Sequence, residues 1–120
     1  MDFNNFKVIK PEDLNHYGYL FGGKLLLWVD EFSWIAASLE FPSYSFVTRS
    51  MDNIMFKKSV RQGTILNFNI AKCELGKAYV KYKVLVAVKN QPGNEIIFET
   101  VVTFVSVDEN GKIKPFKKII

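Results

Sequence analysis

Two hydrophobic periods divide the chain. Between Lys24 and Glu40 apolar residues recur at helical spacing, with Leu25, Val29, Phe32, Ala36 and Leu39 on one stripe. Leu26, Trp28 and Ile35 carry apolar surface beyond that stripe, so the helix must be covered on most sides. Pro42 ends it. At ~1.5 Å per residue it would run roughly 25 Å, enough to cross a small sheet. From Phe46 onward the texture changes to period two. Residues Phe46 to Ser50 and Asn53 to Lys57 read as extended. Leu66, Phe68 and Ile70 alternate with Asn67, Asn69 and Ala71, and Val80, Tyr82, Val84, Val86 and Val88 alternate with Lys81, Lys83 and Leu85. Ile96 to Val107 predicts a last long strand. Arg61-Gln62-Gly63, Leu75-Gly76-Lys77 and Gln91-Pro92-Gly93-Asn94 supply the turns, and Asp108 to Gly111 turns into a basic tail. Ahead of the helix, residues 6–10 predict a short strand, residues 11–15 a turn, and His16 to Phe21 a loop into Gly22-Gly23.

One helix followed by antiparallel strands on short connections is an α+β arrangement, with the helix laid across the concave face of a curved sheet. No linker, repeat or low-complexity segment divides the chain, so residues 1–120 form a single domain. A helix this apolar would keep part of its surface uncovered in a lone copy, which predicts a dimer that buries a sheet edge or the helix flank.

Composition narrows the function. The 120 residues are 48% hydrophobic and 15% aromatic, ample for one packed core. A net charge of +4 suits an anionic ligand but falls well short of a nucleic-acid-binding composition. One cysteine, Cys73, precludes an internal disulfide framework and is expected inside a strand as a small apolar residue. One histidine, His16, far from that cysteine leaves no metal site to read. The N-terminus lacks the apolar run of a signal peptide, and LLLWV and VLVAV are too short to span a bilayer, so a cytoplasmic protein is expected.

Three stretches give the chain a family likeness: Asn15 with Leu20-Phe21-Gly22-Gly23; Trp28-Val29-Asp30-Glu31 with Ile35-Ala36-Ala37; and Val47-Thr48-Arg49-Ser50 leading to Ile54, Phe56, Val60 and Gly63. Together with the ending VSVDENGKIKPF, they make the chain resemble the hotdog-fold acyl-CoA thioesterases, in the acyl-CoA hydrolase branch. The resemblance implies a curved antiparallel sheet wrapped around one long central helix. It implies a homodimer as the minimal unit, with hexamers (trimers of dimers) or tetramers beyond it. It implies hydrolysis of an acyl-CoA to a carboxylic acid and coenzyme A, with no cofactor, coenzyme A being part of the substrate. Asp30 would be the catalytic carboxylate, Asn15 of the facing subunit its polar partner, and the glycine backbone at the helix start the holder of the thioester carbonyl.

The residue chemistry is compatible with those roles. The first N–H groups of a helix have no intrahelical acceptor, and the helix dipole adds partial positive charge there. Glycine lets a carbonyl oxygen approach that backbone, which nominates Gly23, with Gly22 beside it, as the donor. Asp30 lies seven residues on, or ~10 Å along the axis, too far to share one carbonyl with Gly23 of its own chain. A neighbouring chain resolves this. Asp30 would then serve as base on water or as nucleophile.

Plainer readings stay open at each position. Asp30 also suits a solvated helix, Asn15 a turn, Gly22-Gly23 a hinge, and His16 lacks a visible catalytic partner. Ser33, Thr48 and Ser50 are further candidates for lining a cavity at Asp30, whereas Trp28 and Trp34 read as packing. Phe21 and Phe56, with Trp28 and Phe32, are candidate liners of an acyl tunnel. Arg49 and Arg61, flanking Lys57 and Lys58, are candidate holders of coenzyme A phosphates, or else parts of a solvated edge. The rival functions are a non-catalytic module binding acyl-CoA as sensor or assembly unit, a hotdog dehydratase, which would need His16 beside the substrate, and a nucleic-acid binder, for which no basic aromatic strand is present.

Overall fold

A computed structural model describes residues 2–117. Five strands form one antiparallel sheet: β1 (Asp2–Val8), β2 (Ser45–Phe56), β3 (Ile65–Leu75), β4 (Tyr79–Val88) and β5 (Ile96–Val107), in the order β1-β3-β4-β5-β2. A single helix, α1 (Gly22–Glu40), crosses one face. A 3-10 turn over Pro11–Asp13 precedes it. The architecture is the expected α+β one, with α1 starting two residues earlier than its apolar period and β1 starting four residues earlier than the apolar run at 6–10.

Alternation decides which strand residues face α1. In β4, Val80, Tyr82, Val84, Val86 and Val88 are buried, and they pair across to buried Leu66, Phe68 and Ile70 on β3 and to Phe98, Val102 and Phe104 on β5. On α1, Leu25, Val29, Ser33, Ala36 and Ala37 turn toward this layer. Small residues at 36 and 37 let the helix approach closely, and Phe32 and Trp28 meet Phe68 edge-on at 5.0 and 6.4 Å between ring centroids. Beyond the helix end, Phe41, Tyr44 and Phe46 close over Phe116 from the C-terminal segment.

The segments 46–50 and 53–57 are one strand, not two. Period two breaks inside β2 because two bulges interrupt its pairing with β5, one at Arg49 and one at Asn53-Ile54, where Asn53 has φ of 55°. β2 is also an edge strand, bound among the described residues to β5 alone. Cys73 stands at a third bulge, between Lys72 and Glu74 on β3. That extra residue turns it out of the layer, so it is exposed rather than packed as the sequence suggested.

The helix is anchored at its C-terminal end by a charged cluster. Glu40 accepts a hydrogen bond from the buried Tyr82 hydroxyl at 2.5 Å and pairs with Lys72 at 2.8 Å. Burial alone would raise the Glu40 pKa; the hydrogen bonds from Lys72 and Tyr82 outweigh it and hold the carboxyl below its usual range. Burial, followed by the Glu40 hydrogen bond, pushes the Tyr82 hydroxyl up, so it remains a donor at all ordinary pH. A depressed folded-state pKa means that Glu40 contributes stability above the ordinary carboxylate range, lost as pH falls through the folded value. Glu40→Gln should therefore cost ~1–3 kcal/mol at neutral pH. In urea melts the gap from wild type should narrow below about pH 4.3, the free Glu range. A gap that widens on acidification would contradict this.

Candidate active site

The start of α1 is held from two sides. Leu20 N–H donates to the Val60 carbonyl at 2.9 Å, and Phe21 N–H to the Asp13 carbonyl at 3.1 Å. Asp13 is buried, accepts from Lys10 N–H at 2.9 Å and pairs with Lys24 at 3.5 Å. The first helical bond is Leu25 N–H to the Phe21 carbonyl, at 3.1 Å. The N–H groups of Gly22, Gly23 and Lys24 therefore have no backbone acceptor among the described residues. The two glycines differ. A Cβ on Gly22 would sit 3.3 Å from the Phe56 ring, whereas Gly23 has open space around it. Gly22 thus permits the packing of Phe56, and Gly23 presents bare backbone outward.

Asp30 is half-buried on the flank of α1 that faces β2. Its Oδ1 accepts a 2.6 Å hydrogen bond from the Thr48 hydroxyl. Its Oδ2 has no hydrogen-bond partner among the described residues. One turn further, the Trp34 indole N–H donates to the Phe46 carbonyl at 3.0 Å, so two rungs tie the helix to the edge strand. Thr48 was only one of several polar candidates in the sequence. Its signal was faint but present: it keeps phase with buried Phe46, two residues earlier, and so faces the helix. Ser33 is fully buried, and its hydroxyl donates to the Val29 carbonyl at 2.6 Å, which removes it from the cavity.

The Asn15 side chain is committed to its own loop. Its Oδ1 accepts from Tyr17 N–H at 2.9 Å and Tyr19 N–H at 3.1 Å, while Asn15 N–H donates to the Tyr19 carbonyl at 2.7 Å. Gly18, at φ +85°, supplies the left-handed step that closes the loop. With Oδ1 occupied, the Nδ2 hydrogens are the groups Asn15 has left to offer. Asn15 and Asp30 of one chain do not meet, nor do Asp30 and Gly23. His16 is exposed beside Tyr17, at 4.0 Å between rings.

Two adjoining clefts lie at this end of the molecule. The smaller, about 420 Å³, is lined by Leu20, Gly22, Leu25, Phe56, Val60 and Ile97. The larger, about 800 Å³, includes Tyr19, Lys58, Arg61, Gln62, Asn90 and Gln91. Arg61 stacks on the Tyr19 ring at 4.5 Å and donates to its hydroxyl at 2.8 Å, which leaves further guanidinium donors for a ligand. Lys57 and Lys58 pair with Glu99 and Glu95, at 2.9 and 3.0 Å. Arg49 is elsewhere. It is the extra residue of the first β2 bulge and lines a separate cleft with Tyr79, Val105 and Ile113, on the sheet face away from α1. The fold therefore does not bring Arg49 and Arg61 together. Phe21 and Phe56 are both half exposed near the helix start.

Comparison with known proteins gives the site its context. The family model of the thioesterase superfamily matches residues 17–96. An uncharacterized acyl-CoA thioester hydrolase of Bacillus subtilis (strain 168) is 30% identical over 121 residues, covering 95% of this chain and 70% of that protein. The acyl-CoA hydrolase of Staphylococcus aureus, solved in complex with butyryl coenzyme A, coenzyme A and coenzyme A disulfide, superposes with a TM-score of 0.86 at 27% identity, over 95% of this chain and 70% of that one. Alanine variants of that hydrolase at an asparagine, an aspartate and a threonine superpose as well. The first two of those positions stand as far apart in sequence as Asn15 and Asp30 do here. A hexameric thioesterase of Yersinia pestis gives a TM-score of 0.87 at 27% identity, over 95% and 93% of the two chains. The chain belongs to the thioesterase superfamily and has its hotdog fold.

Proposed function

We propose that the protein hydrolyses acyl-CoA thioesters, with Asp30 of one subunit facing the Gly23 amide and Asn15 of another. The observation that carries this reading is the half-committed state of Asp30: Thr48 fixes one oxygen, and the other is open. A carboxylate held in this way can take a proton from water. The water oxygen then attacks the thioester carbon, and the charge that develops on the carbonyl oxygen falls against the partner's Gly23 N–H. The C–S bond breaks, and the proton held on Asp30 passes to the departing sulfur. A free thiol has a pKa of about 8.5, so this leaving group needs no strong acid. In the alternative route an Asp30 oxygen attacks the carbon and the C–S bond breaks, expelling the thiolate; water then opens the resulting anhydride, which restores the Asp30 carboxylate, releases the acid and leaves a proton for the thiolate. Both routes need only substrate and water, and no cofactor.

Several surfaces support the shared site. Leu27 and Trp34, on the flank that carries Asp30, are 57% and 45% exposed, and Met55 and Phe56 near the end of β2 are exposed as well. Single exposed apolar residues are ordinary, but this helix flank is bonded to an edge strand at Phe46 and Thr48, which suits a homodimer. The hexameric Yersinia relative favours further assembly, as a trimer of dimers over a tetramer. Arg61, pinned by Tyr19, is the best-placed group for a coenzyme A phosphate. Arg49 would reach the phosphates only from another subunit. Gly22, Phe21 and Phe56 would line the entry. A cytoplasmic location completes the reading; among the described residues no helix is long and apolar enough to cross a membrane.

The test is thiol release from a panel of acyl-CoAs by the purified protein, with binding followed in parallel. Turnover supports the enzyme, whereas tight binding without turnover would identify a sensor. In the binding arm, wild type should prefer coenzyme A to its dephospho form and Arg61→Ala should not; an unchanged preference removes Arg61 from the phosphate site.

A further inference from the structure

The proposed pairing of Asp30 with the partner's Gly23 has a geometric consequence for substrate choice. A two-fold interface is self-complementary, so each contact occurs twice. If Asp30 faces the partner's Gly23, Gly23 faces the partner's Asp30, and the two helices run antiparallel. The axis then passes midway between these residues, beside Leu26 and Leu27. Leu27 is the exposed one of the two, at 57%, on the flank that carries Asp30. It would meet its own symmetry mate on the axis. Two such thioester sites stand only ~10 Å apart along the helices, at ~1.5 Å per residue, and each lies ~5 Å from the axis.

The direction of the substrate follows from charge. In each subunit the larger cleft, which bears Lys58 and Arg61, is reached past the helix start at Tyr19 and takes no residue from α1, while the smaller one adjoins it along Leu20, Gly22 and Leu25. The phosphates of a coenzyme therefore leave outward, and the acyl chain is left the inward course. Toward the axis the side chains of Leu26 and Met51 are half-buried against the core, Leu27 is exposed, and Lys24 is turned to Asp13. We infer that Leu27 from both subunits forms the common end wall of the two acyl pockets and restricts this enzyme to short acyl groups. The inference rests on the proposed catalytic pairing.

The experiment measures kcat/KM for acetyl-, butyryl-, hexanoyl-, decanoyl- and palmitoyl-CoA in wild type, Leu27→Ala and Leu27→Phe, with the oligomer size of each recorded. The readout is the ratio of decanoyl to butyryl activity within each protein. Wild type should favour butyryl-CoA at least tenfold. Leu27→Ala should raise the ratio about tenfold, and Leu27→Phe should lower it and move the optimum toward acetyl-CoA. Either variant alone suffices should the other fail to assemble. A wild type that prefers palmitoyl-CoA, or a ratio unchanged in an assembled variant, overturns the end wall but leaves the catalytic reading standing. A wild type that releases no thiol from any of the five substrates removes both.

Discussion

Asp30→Asn is expected to lower kcat on acyl-CoA by about 10²- to 10⁴-fold, the usual contribution of a positioned general base. The substitution is nearly isosteric. The amide oxygen can still accept the Thr48 hydroxyl that now lies 2.6 Å from Oδ1. What disappears is the basic oxygen that has no partner in the described chain. Because α1 is tied to β2 by the Trp34 bond as well, the helix should keep its place and the melting temperature should move little. KM should change less than kcat, since the group acts on the reacting proton and not on the coenzyme. Near-wild-type turnover by a folded, correctly assembled Asp30→Asn would exclude Asp30 from the chemistry, whatever its surroundings.

Local features of the fold were readable where local physics decides them. The 3.6-residue period of Leu25, Val29, Phe32 and Ala36 marks a helix, and Gly76 and Pro92-Gly93 mark turns because those backbones fit few other residues. The alternation in β4 names its buried face residue by residue. What the pattern hides is register. Arg49 and Asn53 each break period two, so one bulged strand reads as two, and nothing in the sequence says that the extra residue at 49 swings to the outer face. That is why Arg49 and Arg61, which flank the same basic run in the sequence, line different clefts. The sequence offered Thr48 beside Ser33 and Ser50 as a neighbour of Asp30, but not which of the three makes the contact. The contact exists because β2 crosses to the far edge of the sheet and comes beneath the helix, a consequence of strand order and not of spacing. Asn15 is the instructive middle case. A turn role was legible from its residue type, and the loop bonds show that role; they use Oδ1 alone, so the turn does not consume the Nδ2 hydrogens that the proposed site needs.

Those two duties can be separated by choosing the substitution. Asn15→Asp keeps an oxygen to accept Tyr17 and Tyr19 N–H, now at 2.9 and 3.1 Å, so the loop and its Gly18 turn should survive. It removes both Nδ2 hydrogens and, in the proposed pairing, would place a second carboxylate opposite Asp30 of the facing subunit. Loss of one catalytic hydrogen-bond donor costs ~10²–10³ in kcat, and Asn15→Asp should fall in that range. Asn15→Ala loses the donor and the loop bonds together. It should show a similar kinetic loss and, in addition, a stability loss of ~1–2 kcal/mol from the two unmade bonds. The diagnostic result is therefore the pair: Asn15→Asp inactive at nearly wild-type melting temperature, Asn15→Ala inactive and less stable. If Asn15 only closes its turn, the order reverses, because Asn15→Asp preserves every bond that the loop needs and would remain active. Thiol release and thermal melts on the same two preparations decide between these outcomes, and a fully active Asn15→Asp would leave the Gly23 amide as the sole donor to the thioester.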